Sequence, residues 1–573
     1  AYRLAQLASL PIAQFYIPKT PKHDRELTSD AQFRRYWTDG QAAQGQGMAA
    51  AWALYHHKRY FHWFLEFPEI IANGGFDCIL GNPPYLGRGG IRSAYGDAFC
   101  AYVQYEFAPA GISDLIAFFL QRIFALLKSD GITAFITTNS IKDGDVRKDG
   151  LEQVLGRGGE IVMAVRGIKW PGRANLVVSL LALHKGSWNR TRFLDGYPVS
   201  QINAFLEDAT TTTDPVVLAE NRNRMHQGSI ARGEGFLLSD SDADRILAED
   251  QRNSEVIRWV LNGQELNASP FQRPERRIVN FQDWPLERAE TFPKPLRHVE
   301  ALVKPVRLEA GVPDNWWQFW RPRMELYHAL ASLRHCFVAA ATTKFLSFSA
   351  LPTDSVFTHA LFVFATDRWD LFAVVQSTHH EVWARKYSGA LETRLRYSPS
   401  DCFENFAFPD GLWVRPNASL ASIGEQYHEY RKALMVSLLL GLTDLYNLFH
   451  EKDLSPERVA RVSKKSTEEA ATGHQGILEL RRLHRELDNA VRDAYGWHSL
   501  DLEHNFYAVE TLPENDRLRY TISPKARKEV LRRLLELNHR RAEAQTVNTT
   551  TNTKRTRRAA APSPQPLDMF PGD

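Results

Sequence analysis

The chain reads as an α/β protein: a segment in which strands alternate with helices, then a mixed α+β segment, then a helical region. Three observations predict this. The strand-like run FDCILG at residues 76–81 stops at a glycine and turns into Asn82, Pro83, Pro84 and Tyr85. Helical spacing then alternates with continuous β runs as far as residue 205. Beyond residue 420 the apolar spacing is helical with few breaks.

Taken in order, residues 1–75 are helical in pattern, with a polar, Gly/Gln-rich interruption at 39–47 and then the aromatic-rich HKRYFHWFLEFPEI. A strand at 76–80 leads into the Asn-Pro-Pro-Tyr corner. A helix is predicted from about Ser113, capped by Ser113 or Asp114, with Leu115, Phe118, Phe119, Ile123, Phe124 and Leu127 at helical spacing and Gly131 as its stop. ITAFITT (132–138) is a continuous β run of the kind buried in parallel sheets. IVMAV (161–165) and LVVSLLAL (176–183) follow, separated by KWPGRAN. Residues 206–410 show many aromatics and no single period. Residues 411–545 are helical, and 546–573, low in apolar residues, are expected to be disordered.

At 573 residues the chain exceeds a single core. A net charge of +3 means that a polyanion must be met by local patches rather than by the overall field. One patch stands out: residues 291–344 hold eight Lys/Arg against four Asp/Glu, an excess larger than that of the whole chain. The apolar run at 433–442 is far below the roughly 20 residues of a membrane span. Four cysteines without a CxxC pair speak against a disulfide framework or structural zinc and fit a reducing cytoplasm. His379–His380 lack companions at ligand spacing, and His56, His57 and His62 lie among aromatics, so packing roles are expected and no metal.

The Asn-Pro-Pro-Tyr corner carries the chemistry. In open α/β sheets ligands sit beyond the carboxyl ends of the strands. Two prolines remove backbone donors, so carbonyl acceptors dominate the turn. Asn82 adds an acceptor oxygen, and Tyr85 a flat face for a planar ring. Acceptors around a stacking face suit an exocyclic aromatic amine. Hydrogen bonds to Asn82 Oδ1 and the Pro83 carbonyl would draw its nitrogen toward tetrahedral geometry and aim the lone pair at an electrophile. For Pro-Pro the plain alternative is an ordinary turn, and for Trp170 in KWPG an ordinary buried tryptophan.

The stretch resembles motif IV of amino-methyltransferases that use S-adenosyl-L-methionine, whose Asn-first form acts mostly on adenine N6. GISDLIAFFLQRIFALLKSDGITAFITTNSI, DVRKDGLEQVL and KWPGRANLVVSLLALHKG resemble the segments that follow it. DNWWQFWRPRMELYHAL, LRYSPSDCFENFAFP and RELDNAVRDAYGW resemble the second half of large type IIG-like enzymes, which occur in restriction–modification and in BREX and DISARM phage defence. The resemblance implies an incomplete Rossmann-like methyltransferase sheet over 76–205, preceded by an insert (1–75) and followed by a target-recognition domain for double-stranded DNA (206–410). It also implies the roles. Asn82 and Pro83 would bind the target amine, Tyr85 and Trp170 would sandwich a flipped base, and Pro84 would lie against the methyl donor.

The family's donor loop, a glycine-rich turn ahead of the corner, has no match here. Gly74–Gly75 abuts the strand, and GRGG at 87–90 and 156–159 comes after it. The expectation is a catalytic domain completed by an upstream half or subunit that supplies the donor site. Within 206–410, Arg321, Arg323 and Lys344, beside Trp316, Trp317 and Trp320, are the candidate DNA contacts; the alternative is that WWQFW fills a core. Gln565, Leu567 and Phe570 in the tail resemble a peptide that docks on the DNA sliding clamp, with chance occurrence as the rival. Other defence-system subunits are further possible partners. Two other functions stay open: methylation of an RNA base or a protein glutamine, and a non-catalytic DNA-recognition subunit.

Overall fold

A computed structural model of the chain describes residues 2–170, 177–208, 213–309, 315–391, 394–509, 512 and 516–558. It divides into two compact units, residues 1–213 with 510–517 and residues 214–509 with 518–573.

The first unit holds a six-stranded sheet: β1 (Phe76–Gly81), β2 (Leu127–Thr138), β3 (Gly159–Lys169), β4 (Val177–Lys185), β5 (Arg192–Leu194) and β6 (Tyr197–Val199), in the order β1-β2-β4-β3-β5-β6. β1 and β2 are parallel, whereas β4 runs antiparallel to both β2 and β3. The helices Leu115–Leu126 and Leu151–Gly156 cover one face through Ile116, Leu120, Phe124, Leu151, Phe135 and Leu181. On the other face Ile132, Ala134 and Ile136 are half-exposed, and Leu80 is 73% exposed. β1 is therefore an edge strand with a bare outer face.

Several boundaries differ from the sequence expectation, each for a pairing reason. The helix stops at Leu126, because Leu127 already pairs with Phe76 and the KSDG stretch joins β2. Gly75, at φ +119, makes that pairing possible: a Cβ there would come within 2.3 Å of the Leu126 carbonyl oxygen. β2 alternates buried and half-buried residues rather than being buried throughout, since only one of its faces is covered. The helix Arg88–Glu106, for which no expectation was drawn from the sequence, is kinked at non-helical Gly96. Residues 1–75 pack as short helices around Leu7, Leu10, Ala13, Met48 and Ala51, and Trp63 and Phe67 pack edge-on against Phe76.

The second unit contains β7 (Met225–Gln227), β8 (Leu237–Leu238), β9 (Ile257–Leu261), β10 (Arg276–Val279), β11 (Cys336–Ala340), β12 (Thr342–Thr343), β13 (Ser349–Leu351), β14 (Val356–Phe357), β15 (Leu361–Phe364), β16 (Gly389–Leu391) and β17 (Arg394–Arg396). They form sheets in the orders β14-β9-β10-β8, β13-β11-β15-β7 and β12-β17-β16. β11 and β15 are buried at every residue, which explains why no alternation was legible there.

The helical region packs into the same unit. From the helix Ala418–Leu438, Arg431, only 1% exposed, donates to Ser347 Oγ, the Phe348 carbonyl, Gln376 Oε1 (3.1 Å) and the Tyr446 hydroxyl (3.1 Å). Asp488, fully buried on the helix Thr467–Ala494, accepts from Thr378 N (2.7 Å), Thr378 Oγ1 (2.6 Å) and His504 Nε2 (2.8 Å). The last helix runs from Pro524 to Arg558, into the segment expected to be disordered. Among the described residues, no single helix is long and apolar enough to cross a membrane.

Candidate active site

The Asn-Pro-Pro-Tyr corner begins where β1 ends. Asn82 and Pro84 are exposed, Pro83 is buried, and Tyr85 is half-buried against the sheet core. That burial raises the Tyr85 phenol above its ordinary pKa. Its hydroxyl contacts both Asn82 Oδ1 (2.6 Å) and the Ile136 carbonyl oxygen (2.9 Å), and with one hydrogen it donates to one at a time. Asp114 fixes the other end. Its Oδ1 accepts from Leu86 N (3.2 Å) and Ile116 N (3.1 Å), so one carboxylate both caps a helix and clamps the loop. Leu115 N donates to the Leu86 carbonyl at 3.0 Å. The corner is thus tied down on both sides, while Asn82 faces solvent.

Trp170 directly follows β3 and is half-buried. Because β4 is antiparallel to both β2 and β3, and β1 is parallel to β2, the strands β1, β2 and β3 all point the same way. Gly81, Thr138 and Lys169 therefore stand at one end of the sheet, and the corner and Trp170 share that end. β2 and β4 lie between them, which sets β1 and β3 about 14 Å apart at the usual strand spacing. A purine between two rings needs about 7 Å, twice the stacking repeat. Residues 171–176, the rest of the KWPG segment, lie outside the described residues.

Two features of this site were not read from the sequence. Asp114 was seen only as a cap, because its second partner, Leu86, is remote in sequence. The Ile136 carbonyl that receives Tyr85 carries no side-chain signal at all.

In the second unit WWQFW divides its roles. Trp316, Trp317 and Phe319 are buried in the core, whereas Trp320 is 42% exposed with the Arg232 guanidinium 4.6 Å from its ring centre. The candidate cations divide too. Arg321 is exposed and pairs only its backbone with Ile230. Arg323 turns inward and donates to Gln227 Oε1 (3.1 Å), and Lys344 donates to Asn447 Oδ1 (2.9 Å). His379 and His380 are fully buried among aromatic rings, and His62 packs between Tyr55 and Phe64. Among the described residues there is no group of three or more metal-ligating side chains. Gln565, Leu567 and Phe570 lie outside the described residues.

Comparison with known proteins follows this division of the chain. Residues 13–152 match the family model described as Eco57I restriction-modification methylase, and residues 211–410 match that described as MmeI, target recognition domain. Among solved structures, the chain is similar to the type IIL restriction-modification enzyme MmeI in complex with DNA, at 17% identity and a TM-score of 0.57 over 81% of this chain and 57% of that one. It also matches a DrdV–DNA complex (12% identity, TM-score 0.34, 74% of this chain and 58% of that one) and the type IIG restriction endonuclease BpuSI (12%, 0.24, 71% and 55%). The chain spans little more than half the length of these solved proteins. No curated protein matches it.

Proposed function

We propose that this chain, which joins a segment of the Eco57I restriction-modification methylase type to a target recognition domain of the MmeI type, is the acceptor-binding and DNA-reading part of a DNA methyltransferase acting on adenine N6. Its setting would be bacterial restriction–modification or anti-phage defence. The observation that carries the reading is the corner itself. Asn82 stands solvent-facing at the carboxyl end of β1, at the same end of the sheet as Trp170.

Asn82 Oδ1 has two lone pairs, so it can hold the Tyr85 hydroxyl and an amine hydrogen together. The second amine hydrogen goes to the Pro83 carbonyl. With both hydrogens held, the nitrogen lone pair is freed from the ring and oriented. Tyr85 and Trp170 receive the ring, which reaches them only by leaving the duplex stack at a cost of a few kcal/mol. The chain's residues bind and orient; none is asked to act as a nucleophile.

S-adenosyl-L-methionine supplies an electrophilic methyl carbon when bound. The residues beside β1 do not form a glycine-rich cradle for it: Gly74 and Gly75 are taken up by the turn into β1. In this reading the donor site comes with a further α/β segment that pairs on the open edge of β1 and covers the exposed Leu80. Pro84, exposed at the corner, faces that addition. An RNA-base or glutamine methyltransferase would need no recognition segment of this kind.

The test is to combine the chain with the polypeptide encoded just upstream, add labelled donor, and offer duplex DNA, RNA and protein together. Label should enter DNA alone and be recovered as N6-methyladenine. Label in RNA or protein would overturn the reading.

A further inference from the structure

A cleft of about 830 Å³ opens in the second unit, lined by Val260, Arg276 and Ile278 of the sheet containing β9 and β10 and by Thr342 and Arg394 of the sheet containing β12 and β17. Its charged lining is lopsided: Arg232, Arg276 and Arg394 against the single carboxylate of Glu234. Arg276 is tied to Glu265 at 3.2 Å, and Arg232, in the left-handed region at φ 52, stacks on Trp320. A non-glycine residue held in that conformation at the rim of a cleft is costly, and such positions cluster at functional sites.

The short helix Gly263–Ala268 forms one wall. It is held very firmly for its length. Asn262 and Glu265 make a complete capping box, Leu266 is fully buried, and Gln272 Nε2 donates to the Leu266 carbonyl at 2.8 Å. Gly441 lies so close behind it that a Cβ would come within 2.4 Å of the Ala268 carbonyl oxygen. On the cleft side this platform presents Gln264 and Asn267, one helical turn apart. Their side-chain amides have no intramolecular partner among the described residues. Several buried amides of this unit are committed: Asn221 donates to three backbone carbonyls, and Asn253, Gln272 and Asn538 each donate to backbone carbonyls.

We propose that this cleft reads base edges in the major groove of duplex DNA, with Gln264 and Asn267 each pairing with an adenine at neighbouring steps. A carboxamide matches the adenine N6 donor and N7 acceptor with both of its ends. Residues one turn apart have Cβ atoms about 5–6 Å apart, close enough for their heads to converge on steps stacked about 3.4 Å apart. Arg232, propped on Trp320, meets the sugar–phosphate backbone. The inference rests on the DNA-methyltransferase reading for its substrate class alone.

The experiment uses the full chain and a pool of randomised duplexes, with the retained DNA sequenced. Wild type should enrich a motif containing adenine at two neighbouring positions. Gln264→Arg should convert one of these to guanine, because a guanidinium pairs with guanine O6 and N7, and should shift preference there about tenfold or more. Asn267→Arg should convert the other. Gln264→Ser and Asn267→Ser should erase preference at the same positions without a new one. Gln251→Arg, an exposed change away from the cleft, should leave the motif intact. An enriched motif unchanged in all four cleft variants, or no motif at all, would overturn the proposal. Methyl transfer is measured separately on the same DNA after adding the donor segment. Transfer with an unaltered motif defeats the cleft alone; an altered motif without transfer defeats the methyltransferase reading alone.

Discussion

The Tyr85 hydroxyl touches the side-chain oxygen of Asn82 at 2.6 Å, so the ring expected to stack on a base also sets the amide expected to hold its amine. Asn82→Ala removes that amide and should abolish methyl transfer while leaving DNA retention within about twofold, because the acceptor is used mainly at the chemical step. Tyr85→Phe keeps the ring and loses only the hydroxyl that orients Asn82. It should lower kcat about fivefold, the value of one ordinary hydrogen bond, with KM little changed. Single-turnover kinetics on one duplex separates the two variants.

Trp170 stands at the carboxyl end of β3, across two strands from the corner. If it closes the far side of the base slot, Trp170→Ala should weaken capture of the extruded base by about 1–3 kcal/mol. A duplex with 2-aminopurine at the target position reports this directly: fluorescence rises on binding wild type and should rise far less with the variant. Equal rises would assign Trp170 to packing.

Arg321 and Lys344 should behave differently although both come from the same basic segment. Arg321 is exposed, so Arg321→Ala should weaken DNA binding evenly across sequences and reduce the salt slope by about one. Lys344 is bonded to Asn447, so Lys344→Ala should lower the unfolding midpoint and leave the salt slope unchanged. Affinity measured across a salt series, paired with urea melts, resolves the pair.

Burial lowers His379 to about 4, His380 to about 3 and His428 to about 4. For His428, a hydrogen bond from Nδ1 to Glu429 and one accepted from Ala350 N fit the neutral ring. Below the ordinary value of 6.5 the unfolded chain takes up protons that the folded chain refuses until about 4. Stability should therefore fall as pH drops through that window, by roughly 1.4 kcal/mol per pH unit for each such histidine at most. His379 has two buried ring nitrogens without a hydrogen-bond partner and lies beside Tyr495 and Trp497. His379→Phe should flatten the slope without loss of stability at pH 7.5. Urea midpoints at pH 7.5, 6.5 and 5.5 measure both effects.

The bare outer face of β1 gives a test of assembly. Leu80→Lys changes a residue that is 73% exposed, so the chain alone should melt within about 0.5 kcal/mol of wild type. Its co-purification with the donor-bearing segment should fail. Undiminished co-purification would place that segment elsewhere.

What could be read in advance follows local causes. The strand into Asn82 and the Asp114 cap rest on nearby residues and lie within a residue or two of expectation, whereas the helix after the cap ends at Leu126, short of the stop read at Gly131, because its end is set by pairing with β1. The insertion of β4 between β2 and β3 was not legible, since a strand's partners are chosen by chain segments far away. WWQFW was ambiguous for a physical reason: consecutive aromatics on an irregular loop point in different directions, and here only Trp320 points outward. Gln264 and Asn267 were invisible in the sequence because an unpaired amide is recognised only when the partners of the others are known.

Arg431 decides how the larger unit comes apart. Its guanidinium is out of water, and its donors end on residues from both sides of position 410. Removing one side would take away the hydrogen-bond acceptors and the packing that hold this cation, at about 1.5–3 kcal/mol for each hydrogen bond to a charged group. The sheets between residues 225 and 396 and the long helices after 418 should therefore melt in one cooperative step. Truncation at their apparent boundary should produce two insoluble fragments rather than a portable recognition module.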